Sequence, residues 1–266
     1  MIGVIGCGNM ASAIVKGIHA QFRQIKFYTY TPSFTRAENL ATAVSGVAVK
    51  NLSDLNECEI LIIACKPQQF KTLAQELKAK VNLNKKLVLS IMAAISAKKI
   101  AEELDTQLIT RVMPNTPALI LEGVSLIYHS PQVPEDLQKR VESYFGACSR
   151  VHVLESEKLF DQTTVVTGSG PAYVFYFAKT MVDSLTQWGV APDEAKKMVT
   201  QLFKGSASLM ESKSNETLDE LIDEVTSKGG VTIEAINSFK NANLESISQK
   251  ALEAAYKRSE EIKSGL

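Results

Sequence analysis

Chemistry is most concentrated at the start of the chain, where the apolar, β-branched run Ile2–Ile5 is followed by Gly6-Cys7-Gly8-Asn9-Met10-Ala11. Residues 11–18 continue at helical spacing. In a strand, glycine turn and helix of this kind, the first glycine makes the turn and the second lets the backbone approach a pyrophosphate. A small residue in the third place, here Ala11, keeps helix and strand in contact. The opening N–H groups of the helix then face phosphate oxygens with the favourable dipole sign. Gly6, Cys7, Gly8, Asn9 and Met10 are therefore the expected phosphate-side contacts of a dinucleotide. The competing reading is an ordinary tight turn. The dinucleotide is favoured because this turn follows the first strand of an alternating β/α series.

Further candidates recur at the carboxyl ends of later strands. Residues 24–31 form a good second strand, running into Thr31-Pro32-Ser33 with no acidic residue before Glu38. An NAD-selective site needs an Asp or Glu there for the ribose hydroxyls. Arg36 and the hydroxyls of Thr31, Ser33 and Thr35 are instead placed to surround a 2′-phosphate, so NADPH is the expected cofactor and NADH the second candidate. Ser33 also suits the N-cap of the next helix, which is compatible with that role. The continuous apolar run over residues 59–64, the mark of a parallel strand covered on both faces, ends in Cys65-Lys66-Pro67. Lys66 sits on the ligand-binding edge, although a plain surface lysine is an equal reading. Ala93, among the small residues 92–94, and Asn115, in the rigid Met113-Pro114-Asn115-Thr116-Pro117 loop, occupy the same edge. Asn51, Cys65 and Pro67 complete the expected cofactor-side set.

The elements that must position these residues follow from the same pass. Strands and helices alternate to about residue 153, which predicts a Rossmann-type doubly wound sheet as a dinucleotide-binding domain over residues 1–154. From 155 to 266 strand signals vanish and an all-helical domain is expected, with helices near 158–166, 172–188, 192–210 and 218–225. A last long helix over 233–262 is broken near Asn241-Ala242-Asn243. Tyr173, Phe175, Tyr176, Phe177, Met181 and Trp188 fall on more than one face of a single helix, so that helix is buried on most sides. A homodimer with interleaved helical domains, or a larger assembly of such dimers, is the expected cause; burial against the nucleotide domain alone is the alternative.

Composition excludes several other classes. Twenty-nine basic residues balance 29 acidic ones, so no global field favours nucleic acid or an anionic membrane. Cys7, Cys58, Cys65 and Cys148 are scattered without metal-ligand spacing, so no metal is expected and free thiols in a reducing compartment are. No apolar run reaches the roughly 18 residues of a membrane span, and the first strand takes the place of a signal peptide; the expected location is cytoplasmic. His19, His129 and His152 have no Asp or Ser partner spacing and receive no catalytic role. Ser169, between two glycines, lacks the preceding strand and paired histidine of a nucleophile elbow; helix capping and substrate contact are its expected tasks.

The chain resembles the pyrroline-5-carboxylate reductase family over essentially its whole length. The resemblance rests on Ile5-Gly6-Cys7-Gly8-Asn9-Met10, Ala64-Cys65-Lys66-Pro67, and Arg111-Val112-Met113-Pro114-Asn115-Thr116-Pro117-Ala118. It continues through Gly168-Ser169-Gly170-Pro171-Ala172-Tyr173 and ends at Val225-Thr226-Ser227-Lys228-Gly229-Gly230-Val231-Thr232-Ile233. It implies hydride transfer from reduced nicotinamide to the C=N carbon of 1-pyrroline-5-carboxylate, giving L-proline. It implies that Ser169, Gly229, Gly230, Val231 and Thr232 bind substrate, that Thr232 relays a proton from water to the ring nitrogen, and that Glu157 lies near that nitrogen. Lys66 and Glu157 thus join Thr232 as candidate catalytic residues. For Thr232 the competing reading is an N-cap, and for Glu157 a solvated carboxylate at a helix start. The nicotinamide would come from one subunit and the hydroxyl-bearing turn from its neighbour.

Two departures stand in the last motif: Lys228 where the family has proline, and Val231 where it has threonine. They leave open a divergent paralogue. A β-hydroxyacid dehydrogenase would use a lysine on the long helix, for which Lys179 is the candidate. A non-catalytic dinucleotide-binding protein is the remaining alternative.

Overall fold

The computed structural model describes residues 1–265. Eight strands are found among them: β1 (Ile2–Ile5), β2 (Phe27–Tyr30), β3 (Val47–Ala48), β4 (Ile60–Ile63), β5 (Leu87–Ser90), β6 (Ile109–Pro114), β7 (Gly123–His129) and β8 (Ser149–Val153). The helices between them are α1 (Asn9–Gln21), α2 (Phe34–Ala43), α3 (Phe70–Lys80), α4 (Ala97–Leu104) and α5 (Glu135–Gly146). All strands join one sheet in the order β3-β2-β1-β4-β5-β6-β7-β8, so the strand order reverses between β1 and β4. Only β6 and β7 pair antiparallel. The link between them is a single short turn, Thr116–Ile120, closed by Leu121 at φ +65°, too short for a parallel crossover. The antiparallel pair and α4 are additions to the elements the sequence predicts.

The covered-strand expectation is met residue by residue. Ile60 and Ile62 of β4 belong to one apolar cluster with Ile14 of α1, Leu40 of α2 and Phe145 of α5. Leu61 and Ile63 belong to a second cluster with Phe70 of α3 and Ile100 of α4. Successive side chains of one strand thus enter opposite layers. Each fully buried leucine or isoleucine is worth about 1.5–3 kcal/mol of burial.

Beyond β8 every element is helical: α6 (Glu157–Thr167), α7 (Gly170–Gln187), α8 (Pro192–Ser212), α9 (Leu218–Glu224), α10 (Val231–Asn241) and α11 (Leu244–Ser264). Pro192 opens α8 in its first turn, and Gly189, at φ +96°, lies just past the end of α7, in the left-handed conformation that glycine takes without strain. The chain divides into two compact units, Met1–Pro171 with Ala255–Leu266, and Ala172–Ala254. The last helix is therefore divided: it begins in the second unit and its end belongs to the first. Among the described residues no helix is long and apolar enough to cross a membrane.

Candidate active site

The parallel strands β1, β2, β4, β5 and β6 send the segments after them to one sheet edge, and the reversal between β1 and β4 opens a crevice there. Gly6 ends β1 at φ +98°, and a Cβ on it would lie 2.6 Å from the Ala64 carbonyl oxygen, so conformation and space both demand glycine. Gly8 is the N-cap of α1; a Cβ there would meet nothing within 4 Å, leaving the helix start open to a ligand. The first helical bond runs from the Ser12 N–H to the Gly8 carbonyl, so the N–H groups of Asn9, Met10 and Ala11 have no partner within the helix. Cys7 is buried beneath, its thiol donating to the Tyr30 carbonyl and pushed by burial up to about 11.

A cavity of about 470 Å³ adjoins this turn, lined by Cys7, Gly8, Asn9, Ser12 and Lys16 from the α1 side and by Arg36, Asn39 and Leu40 from α2. No carboxylate lines it, and among the described residues neither Lys16 nor Arg36 is ion-paired. Ser33 is the N-cap of α2 but makes no side-chain capping bond, so its hydroxyl stays free. α2 itself is held by the Thr29 hydroxyl, which donates to the Ala37 carbonyl at 2.8 Å. Lys16 and Asn39 are additions to the expected set. Their signal is helical spacing: Lys16 is one turn beyond Ser12, and Asn39 three residues beyond Arg36.

The remaining candidates divide. Lys66 is exposed at the end of β4, its N–H donating to Gln69 Oε1, and Pro67 opens a 3₁₀ turn. Cys65 packs on the Met92 sulfur at 3.4 Å, and burial lifts its thiol to about 11, so it stays neutral. Ala93 is exposed, beside Ala94 at φ +57°, a conformation strained for a residue with a Cβ. Asn51 is the N-cap of the turn Leu52–Glu57, its N–H donating to Asp54. Thr31 is half-buried at the end of β2.

Glu157 is not a solvated carboxylate. Its Oε1 accepts from the Ala97 N–H at 2.5 Å and from Arg111 at 2.7 Å. Arg111, almost fully buried on β6, also donates to Asp161 at 2.9 Å and lies 4.5 Å over the Phe160 ring. Lys263 completes the group at 2.7 Å from Asp161. Asn115 is turned inward: its Nδ2 donates to the Thr167 carbonyl and its Oδ1 accepts from the Val124 N–H. The side chain expected to line a nicotinamide is committed within the protein. Ser169 is exposed in the two-residue turn between α6 and α7, and no capping bond from its hydroxyl is found among the described residues.

In the second unit the glycine-rich turn closes with Gly229 at φ +73° and the Gly230 N–H donating to the Ser227 carbonyl at 2.9 Å. α10 starts at Val231, two residues earlier than expected, with Gly230 as N-cap. Thr232 is therefore not the cap; it is an exposed residue of the first helical turn. Lys179 is largely exposed and pairs with Asp183 one turn along α7.

Comparison with known proteins covers both units. A family model described as pyrroline-5-carboxylate reductase dimerisation matches residues 157–262, and one described as NADP oxidoreductase coenzyme F420-dependent matches residues 1–94. The chain is 31% identical to a pyrroline-5-carboxylate reductase of Pasteurella multocida, with 97% of this chain and 96% of the relative covered. It is 33% identical to one of Vibrio alginolyticus, covering 98% and 97%. Among solved structures, a pyrroline-5-carboxylate reductase from Coxiella burnetii superposes with a TM-score of 0.91 at 28% identity, covering 98% and 97%. A Plasmodium falciparum pyrroline carboxylate reductase with NADP bound gives 0.85 at 29% identity, covering 98% of this chain and 97% of that one.

Proposed function

The chain belongs to the pyrroline-5-carboxylate reductase family, and from that premise we propose that it is an NADPH-dependent oxidoreductase reducing the C=N bond of 1-pyrroline-5-carboxylate to L-proline. The observation that carries the cofactor assignment is the open helix start at Gly8, adjoining a cavity whose only charged lining residues are Lys16 and Arg36. Cys7, Gly8, Asn9 and Met10 hold the pyrophosphate through backbone N–H groups, while Gly6, whose own N–H donates to the Tyr30 carbonyl, makes the turn that brings the backbone close. Thr31, Ser33 and Arg36 hold the 2′-phosphate, and Lys66, Pro67 and Ala93 line the nicotinamide end. Bound NADPH supplies the hydride.

The protein's part is position and a proton. The Gly229-Gly230-Val231 turn, at the free N–H end of α10, receives the substrate carboxylate, and Ser169 makes a further substrate contact. As the C=N carbon gains hydride, the ring nitrogen must take a proton. A threonine hydroxyl is too weak an acid to lose its own, so Thr232 passes one on from water. Glu157, held by Arg111, sets the electrostatics near that nitrogen. We further propose a homodimer in which Thr232 of one subunit serves the cofactor held by the other, and a cytoplasmic location, a reading that the four free cysteines support.

The test is oxidation of NADPH by the purified chain with pyrroline-5-carboxylate, followed at 340 nm and repeated with NADH. Proline formation with kcat/KM at least about tenfold higher for NADPH is expected, since one or two phosphate contacts are worth at least 1.4 kcal/mol. Comparable values would remove the 2′-phosphate assignment, and no turnover would remove the activity.

A further inference from the structure

Arg111, Met113 and Asn115 alternate along β6 and one extended residue beyond it, so they share one face of the strand. α6 is tied to that face along its length. Near its start, Arg111 binds Glu157 and Asp161. Near its end, a Cβ placed on Gly168 would lie 3.4 Å from Met113 Cγ, and the Asn115 amide donates to the Thr167 carbonyl at 3.1 Å. That carbonyl belongs to the last residue of α6, where a helix leaves its C=O groups without partners. The other end of the same amide accepts from the Val124 N–H at 2.9 Å, so a carbonyl on one side and an N–H on the other fix which way it points. The side chain is only 7% exposed.

We propose that Asn115 is a positioning residue for substrate: its amide is a two-ended strut that sets the Gly168-Ser169-Gly170 turn against the end of β6. The inference rests on reading that turn as substrate-side. Asn115 itself touches neither substrate nor cofactor through its side chain. It acts through the Thr167 carbonyl, and through it on Ser169 two residues later.

Asn115→Asp isolates the strut. The introduced carboxylate still accepts from Val124, but it cannot donate to Thr167 unless it carries a proton. At alkaline pH the variant is expected to raise KM for pyrroline-5-carboxylate about tenfold, the worth of one buried hydrogen bond, while KM for NADPH stays within about twofold. The defect relative to the unmodified chain shrinks as pH falls and the introduced carboxyl protonates. A role in stability alone would lower the melting temperature and move both KM values together, or neither, at every pH; that result overturns the proposal.

If Asn115→Asp does not fold, Gly168→Ala decides. Its Cβ would sit 2.8 Å from the Thr164 carbonyl oxygen of α6, so the same turn must shift where it leaves the helix. The same KM split supports the proposal, and equal or absent effects on the two KM values reject it. Ser169→Ala separates the two levels of argument. If it leaves KM for pyrroline-5-carboxylate unchanged in an active chain, the substrate-side reading of the turn fails. If Ser169→Ala raises that KM but Asn115→Asp does not, the strut alone fails.

Discussion

Along β4 every residue is buried by partners from its own chain: Ile60 and Ile62 enter one apolar layer, Leu61 and Ile63 the other. Along α7 no described residue is buried, and Phe175, Tyr176 and Trp188 are 67%, 73% and 79% exposed. α10 and α11 likewise have no buried residue, and α8 has only Ala195 and Val199. Within the second unit, Phe177 does meet Phe203 and Phe239 at ring-centroid distances of 6.3 Å, so a small aromatic nucleus exists. The contrast teaches that the sheet unit closes its own core, whereas the helical unit leaves apolar area that water does not tolerate. A second copy of the chain supplies the missing cover in the proposed homodimer.

The largest effect should come from charging that face. Tyr176→Asp is expected to dissociate the dimer and cost about 4 kcal/mol of association, the scale of a central interface residue, with activity falling accordingly. Sedimentation velocity reads it, and also shows whether dimers of the unaltered chain assemble further; an unchanged coefficient for the variant would break the comparison. Gly6→Ala probes the opposite side, where nothing waits for a partner. Its left-handed φ and its approach to Ala64 should cost about 3 kcal/mol in thermal unfolding and abolish NADPH binding without dissociating the dimer. Thr232→Ala should lower kcat about 10²-fold with NADPH affinity intact, the contribution of a positioned proton relay. An unchanged kcat would sink that role.

The smallest effect concerns pH in the sheet unit. Burial holds the His129 imidazole down at about 4, with its Nδ1 bonded to the Thr110 hydroxyl and the Glu142 carboxylate 3.7 Å from Nε2. The unfolded chain takes up that proton near pH 6.5. Stability is therefore full above about 6.5 and declines as pH falls toward 4. His129→Gln should flatten that limb of an unfolding-versus-pH series.

What was legible in the sequence is what neighbours in sequence determine. The β1 turn into α1 needs only adjacent glycines, and the β4 run announces its two covered faces without reference to anything distant. What was missed depends on partners far along the chain. Arg111 meets Glu157 and Asp161, 46 and 50 residues away, and Asn115 meets Thr167 at 52. Nothing beside Glu157 in sequence signals a buried guanidinium, so a solvated carboxylate stood as the alternative to its expected place near the substrate nitrogen. The inward turn of Asn115 is hidden for the same reason. The start of α10 was misplaced because Val231 is a poor helix former by propensity, while the glycine before it supplies the cap.

The divided last helix has a consequence for synthesis. Asp161 lies in the first unit, yet the lysine that neutralises its second oxygen is residue 263, 102 positions later. While the ribosome is still working, the nascent sheet can assemble with Arg111 alone facing two carboxylates. Only once residue 263 has cleared the ribosome can Lys263 arrive and balance the group. Chains ending before residue 263 would keep every strand and still carry one buried negative charge too many.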